Sequence, residues 1–519
     1  MPKLKIGIID LIHKGPTNSL YAKIMHANLA SIMPQVVATW CEQEGHEVKF
    51  AVYTGLENIS KELPKDIDLV FICSFTEAAL MAYSLSNLYR SQGVVTVLGG
   101  PHARCYPEDS AKYFDYVLGF TDKDLISEVL RECSPHKPLG VQLSGTKQPE
   151  GLPGVAERWK FIEPTLKKSP LLKIVPMIGS MGCPYTCSFC IDSTVPYQPL
   201  DFDIIKEDLK FLLTKYKRPW VAWHDPNFGI RFNDYMEAME SIAKPGSVWS
   251  IVESSLSILS ESNLQRFKHN GIIAVLPGIE SWYEMGNKSK AMHIQGEEKM
   301  KQISEHVNMI TQYIPYIQTN FVLGLDGDEG KEPFELTKRF VDLSPGAFPG
   351  YSLLTAFGEA APLNLSYQQD NRVLPFPHSF LNNFLAMNLK PKNYEWIEFY
   401  ENVVDLAAYT FSWRSIGRRF RADPHPIGKL MNLMRAVSAE GFGRLGYFRK
   451  VLKNLKQDKA FRAYFEGETT ILPEFYINMI RKDLGPMLEW LPEGAMYHDQ
   501  NAYLKKQEAS QPLKQSIAS

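Results

Sequence analysis

Three cysteines fall close together in the segment GCPYTCSFC: Cys183, Cys187 and Cys190, at C-x3-C-x2-C spacing. Three thiolates at this spacing fit three corners of a cubic 4Fe-4S cluster, which normally takes four cysteines. The fourth iron is then left without a protein ligand. An iron with open coordination can bind a small chelating molecule, as a catalytic cluster must. An electron carrier would keep a fourth cysteine nearby, and none is present. Structural zinc takes four protein ligands, so a zinc site would need one more group, for which His224 is the candidate. The remaining cysteines, Cys41, Cys73, Cys105 and Cys133, are scattered, and the total of seven is odd. Secreted disulfide scaffolds do not have this pattern. A cytoplasmic, reducing setting with one metal or redox site is expected.

The cysteine loop follows a strand-like run, LKIVPMIGS, which opens a series of alternating strands and helices. Helix 203–216 leads to strand RPWVAWHD, helix 232–243 to SVWSIVES, and helix 260–269 to GIIAVLPGIES. A helical stretch over 295–311 leads to YIQTNFVLGL, and helix 332–343 to GYSLLTAF. Six βα-like units predict a partial (β/α)6 barrel over residues 171–370. Parallel barrels carry their chemistry at the C-terminal ends of their strands, and the cysteine loop sits at such an end. Ahead of it, residues 1–135 alternate in the same way: strand KLKIGIID, a helix over 17–44 with a possible break at Pro34, then HEVKFAVY. IDLVFICSF, a helix over 77–92, VVTVLGG, FDYVLGF and a helix over 122–132 complete the series. Such alternation predicts an α/β fold with a doubly wound, Rossmann-like parallel sheet. Residues 136–170 show no clear period and read as a linker. Residues 371–505 read as a mainly α-helical region, and 506–519 as a flexible tail.

Composition narrows the class. A net charge of −2 leaves no broad nucleic-acid footprint. No apolar run reaches the ~20 residues of a bilayer span, and the N-terminus MPKLKIGIID is not a secretory signal. The stretch 413–436 is rich in basic residues and Met, including Arg414, Arg418, Arg419 and Arg421; it reads as a solvated helical face.

The C-x3-C-x2-C motif, with aromatic Phe189 before its last cysteine, resembles the radical S-adenosylmethionine enzymes, and supporting motifs cover residues 170–365. The resemblance implies that the open iron binds the methionine end of S-adenosyl-L-methionine. Reductive cleavage of the sulfonium then makes a 5′-deoxyadenosyl radical that abstracts hydrogen from a small-molecule substrate, with the electron supplied by a donor such as flavodoxin or ferredoxin. WHDPNFG resembles the family's second-strand segment and nominates Asp225 and Asn227 for the cofactor pocket; from local signal alone the same residues read as an Asx turn. VES places Glu253 at the third strand end, where relatives often carry a polar or basic residue. GIES resembles the fourth-strand motif and nominates Glu280 and Ser281. NFVLGLDGD resembles the segment near adenine. LTAFGEAAPL stands where relatives usually have a Pro-Gly-Thr turn.

Residues 1–135 resemble a cobalamin-binding domain. Ser74 and the pair Gly99–Gly100, at the ends of adjacent strands, match its S-x-L and G-G elements. Glycines there let a bulky ligand approach the backbone. DLIHKG spaces Asp10 and His13 differently from the D-x-H-x-x-G motif that supplies a cobalt ligand in many such domains, and GFTD (119–122) replaces a more usual glycine–glutamate run. A Rossmann-like domain that binds nothing is the alternative, since fold does not establish function. Together the resemblances imply cobalamin-dependent methylation of an unactivated carbon. Radical cyclisation or rearrangement without methyl transfer is the enzymatic alternative. A non-enzymatic metal-binding or redox-sensing protein is the alternative of another class.

Overall fold

The computed structural model describes residues 3–12, 30–55, 57–133, 139–169, 172–283 and 294–499. Six parallel strands form the first sheet: β1 (Lys5–Leu11), β2 (Glu47–Tyr53), β3 (Leu69–Ser74), β4 (Val95–Gly99), β5 (Tyr116–Leu118) and β6 (Val141–Leu143), in the order β2-β1-β3-β4-β5-β6. The chain reverses direction across the sheet between β1 and β3, the switch point at which doubly wound sheets open a ligand crevice. β1 is buried on both faces because it alternates between two layers. Ile6 and Ile8 pack with Val36, Trp40 and Ile126, while Ile9 and Leu11 pack with Leu80 and Leu85. That explains the near-continuous apolar run of KIGIIDL.

The expected helix 17–44 is seen from Ile32 to Gln43. Pro34 stands in its first turn, where a missing N–H costs nothing; residues 17–29 and His13 lie outside the described residues, as does the tail 506–519. The expected linker is not featureless. Within 136–170, Val141–Leu143 joins the first sheet as β6, and helix Val155–Lys168 packs on helix Ile32–Gln43, on helix Phe202–Lys215 and on the first barrel strand. The short run 141–143 gives too little periodicity to read, and Pro164 obscures the helix.

The second sheet is an open barrel of parallel strands: β7 (Ile174–Met177), β8 (Trp220–Trp223), β9 (Trp249–Val252), β10 (Ile272–Val275), β11 (Tyr316–Leu323) and β12 (Phe348–Leu353), each paired with the next. The fourth strand breaks at Leu276–Pro277, where proline supplies no N–H to the ladder, and resumes at Gly278–Glu280 beside Asn320 and Phe321 of β11. One buried cluster runs through both sheets, from Ile9 and Val70 to Val175 and Trp223 and on into the C-terminal helices.

The C-terminal region is helical. Its aromatics Phe376, Trp396, Tyr400, Phe461, Tyr464, Phe465 and Tyr476 are core, packed edge-to-face or stacked. One of its helices sits opposite to the barrel mouth. Helix Pro426–Val437 places Met431 and Met434 against Ile174 and Ala222, sets Gly428 against the carbonyl of Pro315, and bonds Tyr316 through Arg435. Ile174 and Tyr316 begin their strands, so this helix plugs the N-terminal end of the barrel. Among the described residues no helix is long and apolar enough to cross a membrane.

Candidate cofactor site at two converging sheets

The cysteine loop leaves the barrel through a tied neck. Ser180–Met181 pairs antiparallel with Gln198–Pro199, which closes the base of the loop. Gly182 has φ +68°, and a β-carbon there would stand 2.5 Å from the carbonyl of Pro196, so only glycine fits. Gly179 likewise leaves room for Tyr235, whose ring would lie 2.3 Å from an added β-carbon. Cys183 and Cys187 are buried and Cys190 half-buried, and none of the three is in a disulfide. The amide of Asp192 points at the Cys190 Sγ, 3.4 Å away, a contact that favours a thiolate. Among the described residues, no three His, Cys, Asp or Glu side chains converge on one point, as a single zinc ion would need. Around a cubic cluster each thiolate meets a different iron, and an all-sulfur set of three suits that group.

Asp225 and Asn227 lie where the sequence puts them, at the end of β8, but they do different work. The buried Asp225 carboxylate accepts from the amide of Gly179 at 3.1 Å, the hydroxyl of Ser180 at 2.7 Å and the phenol of Tyr235. Burial pushes its pKa up, and the Tyr235 and Ser180 hydrogen bonds oppose the shift. Arg231 adds bonds to the carbonyls of Gly179 and Leu200. Asp225 therefore holds the strand that feeds the cysteine loop, and its acceptor sites are filled by protein donors. Asn227 caps the turn Phe228–Arg231, its Oδ1 accepting from the amides of Gly229 and Ser255. Its Nδ2 is buried and has no partner among the described residues. A buried donor left open is costly unless something accepts from it, and a carboxylate such as that of a bound methionine moiety fits. Glu253, at the third strand end, is exposed.

At the fourth strand end Glu280 has φ +65°, a left-handed conformation that a non-glycine residue holds only under constraint. Ser281 donates to Asp328 at 2.7 Å, accepts from the amide of Tyr283 at 3.0 Å, and its carbonyl accepts from Lys299. Burial lowers the Lys299 pKa, while Glu280 and Asp328 pull it back up. Ser281 is thus part of an internal lock between the fourth and fifth strand ends. The segment 354–363 braces the cysteine loop: the amide of Leu363 donates to the carbonyl of Ser188, and Thr194 donates to the carbonyl of Ala360.

The two sheets face each other across a cavity of about 320 Å³. The first sheet lines it with Phe71, Cys73, Gly99, Gly100, Arg104 and Phe120; the barrel lines it with Met181, Gly182, Asp192, His224 and Pro226. The glycine pair divides its labour. A β-carbon on Gly99 would meet no described residue within 4 Å, so among the described residues this position is open space at the cavity. Gly100, at φ +94°, would meet the Cys73 Sγ at 2.9 Å and the Ser74 backbone at 3.0 and 3.1 Å, and so is needed for the turn itself. Ser74 is fully buried and its hydroxyl donates to the carbonyl of Phe75 at 2.8 Å; its neighbour Cys73 faces the cavity instead. The open space at Gly99 suits a bulky group such as a corrin. Sequence reasoning missed Cys73, Phe120, Tyr235 and the Lys299–Asp328 lock, none of which carries a local motif. His224 was considered only as a zinc ligand. Burial, with a smaller push from Arg158, lowers its pKa to about 4, so its imidazole is neutral.

No family model matches the chain. It is 24% identical over 397 residues, 72% of this chain and 83% of the relative, to bacteriochlorophyllide d C-8(2)-methyltransferase of Chlorobaculum tepidum. It is 22% identical over 378 residues, 71% of this chain and 80% of the relative, to the C-12(1)-methyltransferase of the same organism. Among solved structures, the radical S-adenosylmethionine methyltransferase TsrM from Kitasatospora setae superposes with a TM-score of 0.56 at 12% identity, covering 88% of this chain and 99% of that one. The cobalamin-dependent S-adenosylmethionine radical enzyme OxsB superposes with a TM-score of 0.56 at 11% identity, covering 98% and 81%. In sequence and in fold the chain resembles the radical S-adenosylmethionine enzymes with an N-terminal cobalamin-binding-like domain.

Proposed function

We propose that this protein is a cobalamin-dependent radical S-adenosylmethionine methyltransferase that methylates an unactivated carbon of a small molecule. The observation that carries the reading is the single cavity bordered on one side by the glycine cradle and on the other by the neck of the cysteine loop. Methyl transfer to a substrate radical needs the methyl carrier and the radical source within reach of one substrate atom, and a cavity reached by both sheets supports that reading. When bound, a 4Fe-4S cluster with S-adenosyl-L-methionine supplies a hydrogen-abstracting radical, and cobalamin supplies the methyl group.

The chain's own residues bind and orient. Cys183, Cys187 and Cys190 would hold the cluster. Asp225, through Gly179, Ser180 and Tyr235, fixes the strand from which they hang. Asn227 would donate through its open Nδ2 to the methionine carboxylate, and Glu280, held in a left-handed turn at the fourth strand end, would help bind the same cofactor. Gly99 leaves room for the corrin, and Phe120 and His224 close the walls. A neutral His224 adds no charge to a space in which radicals must be shielded from water. An electron donor such as flavodoxin or ferredoxin supplies the reducing electron, nucleic acid is not the substrate, and seven cysteines with no disulfide among them suit the cytoplasm.

The test is anaerobic reconstitution with iron, sulfide and hydroxocobalamin, followed by incubation with candidate amphipathic ring substrates. Retained cobalamin, with 5′-deoxyadenosine and S-adenosylhomocysteine formed together, is the expected result. Deoxyadenosine without S-adenosylhomocysteine points to cyclisation or rearrangement. A wild-type protein that retains no cobalamin overturns the methyltransferase reading.

A further inference from the structure

Helix Trp413–Ala422 and helix Pro426–Val437 pack on each other. The chain doubles back between them: the Lys429 ammonium lies 5.7 Å from the Phe420 ring, and the Trp413 ring 5.2 Å from Phe442, just beyond the second helix. Their inner faces are committed. Ile416 is buried, Arg419 lies over the Phe348 ring, and Met431 and Met434 plug the N-terminal end of the barrel.

Their outer faces are apolar where solvent meets them. Trp413 is 69% exposed, Leu430 56%, Phe420 43% and Val437 42%. Trp413 and Phe420 are seven residues apart, as are Leu430 and Val437, so each pair makes one stripe on its helix. The contact of Lys429 with Phe420 joins the two stripes into one surface. Arg414, Arg418 and Arg421 run along its flank. Arg418 pairs with Asp342, whereas Arg414, Arg421 and Lys429 form no ion pair among the described residues. The one carboxylate within 413–437 is Asp423, which is buried and bonded to the amide of His425 and the amide group of Asn432.

We infer that this face docks on an anionic lipid surface. Aromatic and aliphatic side chains enter the headgroup boundary while flanking cations meet lipid phosphates, the pattern of helices that lie on a membrane rather than cross it. A second copy of the chain is a poor occupant, because a two-fold contact sets the same patch against itself and would oppose the two basic rows. The face lies at the end of the barrel remote from the cofactor cavity, so docking leaves that cavity open and does not depend on the reading of the site.

Sedimentation of the full-length protein with sucrose-loaded vesicles tests the inference. The wild type co-sediments with phosphatidylglycerol–phosphatidylcholine vesicles at low salt and far less with pure phosphatidylcholine. Arg414→Glu with Arg421→Glu weakens partition by at least about tenfold, since each cation near the surface contributes on the order of 1 kcal/mol. Trp413→Ser with Leu430→Ser removes binding while circular dichroism and the melting temperature stay at wild-type values, because both side chains are exposed; Leu430→Ser alone gives a partial loss. Wild-type protein left in the supernatant with anionic vesicles overturns the inference. So does unchanged binding by the charge-reversed variant, or a concentration-dependent dimer that the same substitutions abolish.

Discussion

The N-terminal sheet and the barrel both bring parallel strands to one cavity, yet they prepare it in opposite ways. The sheet ends in missing side chains: Gly99 presents open space, and Gly100 lets the chain turn tightly past Ser74. The barrel ends in polar side chains that are mostly spent on one another: Asp225 on Gly179, Ser180 and Tyr235, and Ser281 on Asp328 and Tyr283. A bulky ligand whose chemistry is its own asks the protein for room. A cluster and a small polar cofactor ask for donors held still. The difference teaches that strand-end position alone does not mark a ligand contact; whether the side chain's hydrogen-bonding capacity is already filled decides it.

The comparison breaks most completely at the cysteines. Replacing Cys183, Cys187 or Cys190 with Ala abolishes cluster assembly, read as loss of bound iron and sulfide, while cobalamin retention survives. Full iron content in Cys187→Ala would falsify the assignment. Asp225→Ala comes next. It strands three buried donors and lowers stability by about 3 kcal/mol, seen in the melting curve, and it reduces cluster loading because the neck of the loop slackens; Asp225→Asn does less.

The glycines separate the two demands within one sheet. Gly100→Ala lowers stability by about 1–3 kcal/mol through its positive φ and the close Ser74 backbone. Gly99→Leu melts like the wild type but loses cobalamin from the purified protein. The reverse pattern would exchange their roles. Asn227→Asp keeps the acceptor of the turn and removes the open Nδ2 donor; S-adenosyl-L-methionine binding then weakens by about tenfold or more in anaerobic calorimetry, with the cluster retained.

A further effect is one of pH. Burial raises the Asp10 carboxyl from 3.8 to about 7, against opposing hydrogen bonds from Ser31. Between those values the folded protein binds more protons than the unfolded chain, so this group's contribution to stability falls as pH rises from about 4 to about 7. Asp10→Asn removes that part of the slope in melting temperature against pH; an unchanged slope sinks the assignment.

Much of this was legible in the sequence because it is local. Strand and helix identities follow from apolar runs and their period, and the three thiols declare themselves by spacing. Helix Val155–Lys168 and strand Val141–Leu143 were not legible, since the strand is three residues long and the helix carries an internal proline. Nor was the position of helix Pro426–Val437 at the N-terminal end of the barrel, because amphipathicity says that a face is buried and not against what.

By itself, then, the sequence determined which residues can ligate a cluster, where parallel strands must end, and where the backbone needs glycine; each rests on covalent chemistry or local sterics. Tertiary structure alone decided that Asp225 is saturated and Asn227 is not, that Gly99 faces space while Gly100 faces backbone, and that both sheets open on a common cavity. Those outcomes depend on partners from 28 residues away, as with Asn227 and Ser255, to 46 away, as with Asp225 and Gly179, and only folding sets such distances.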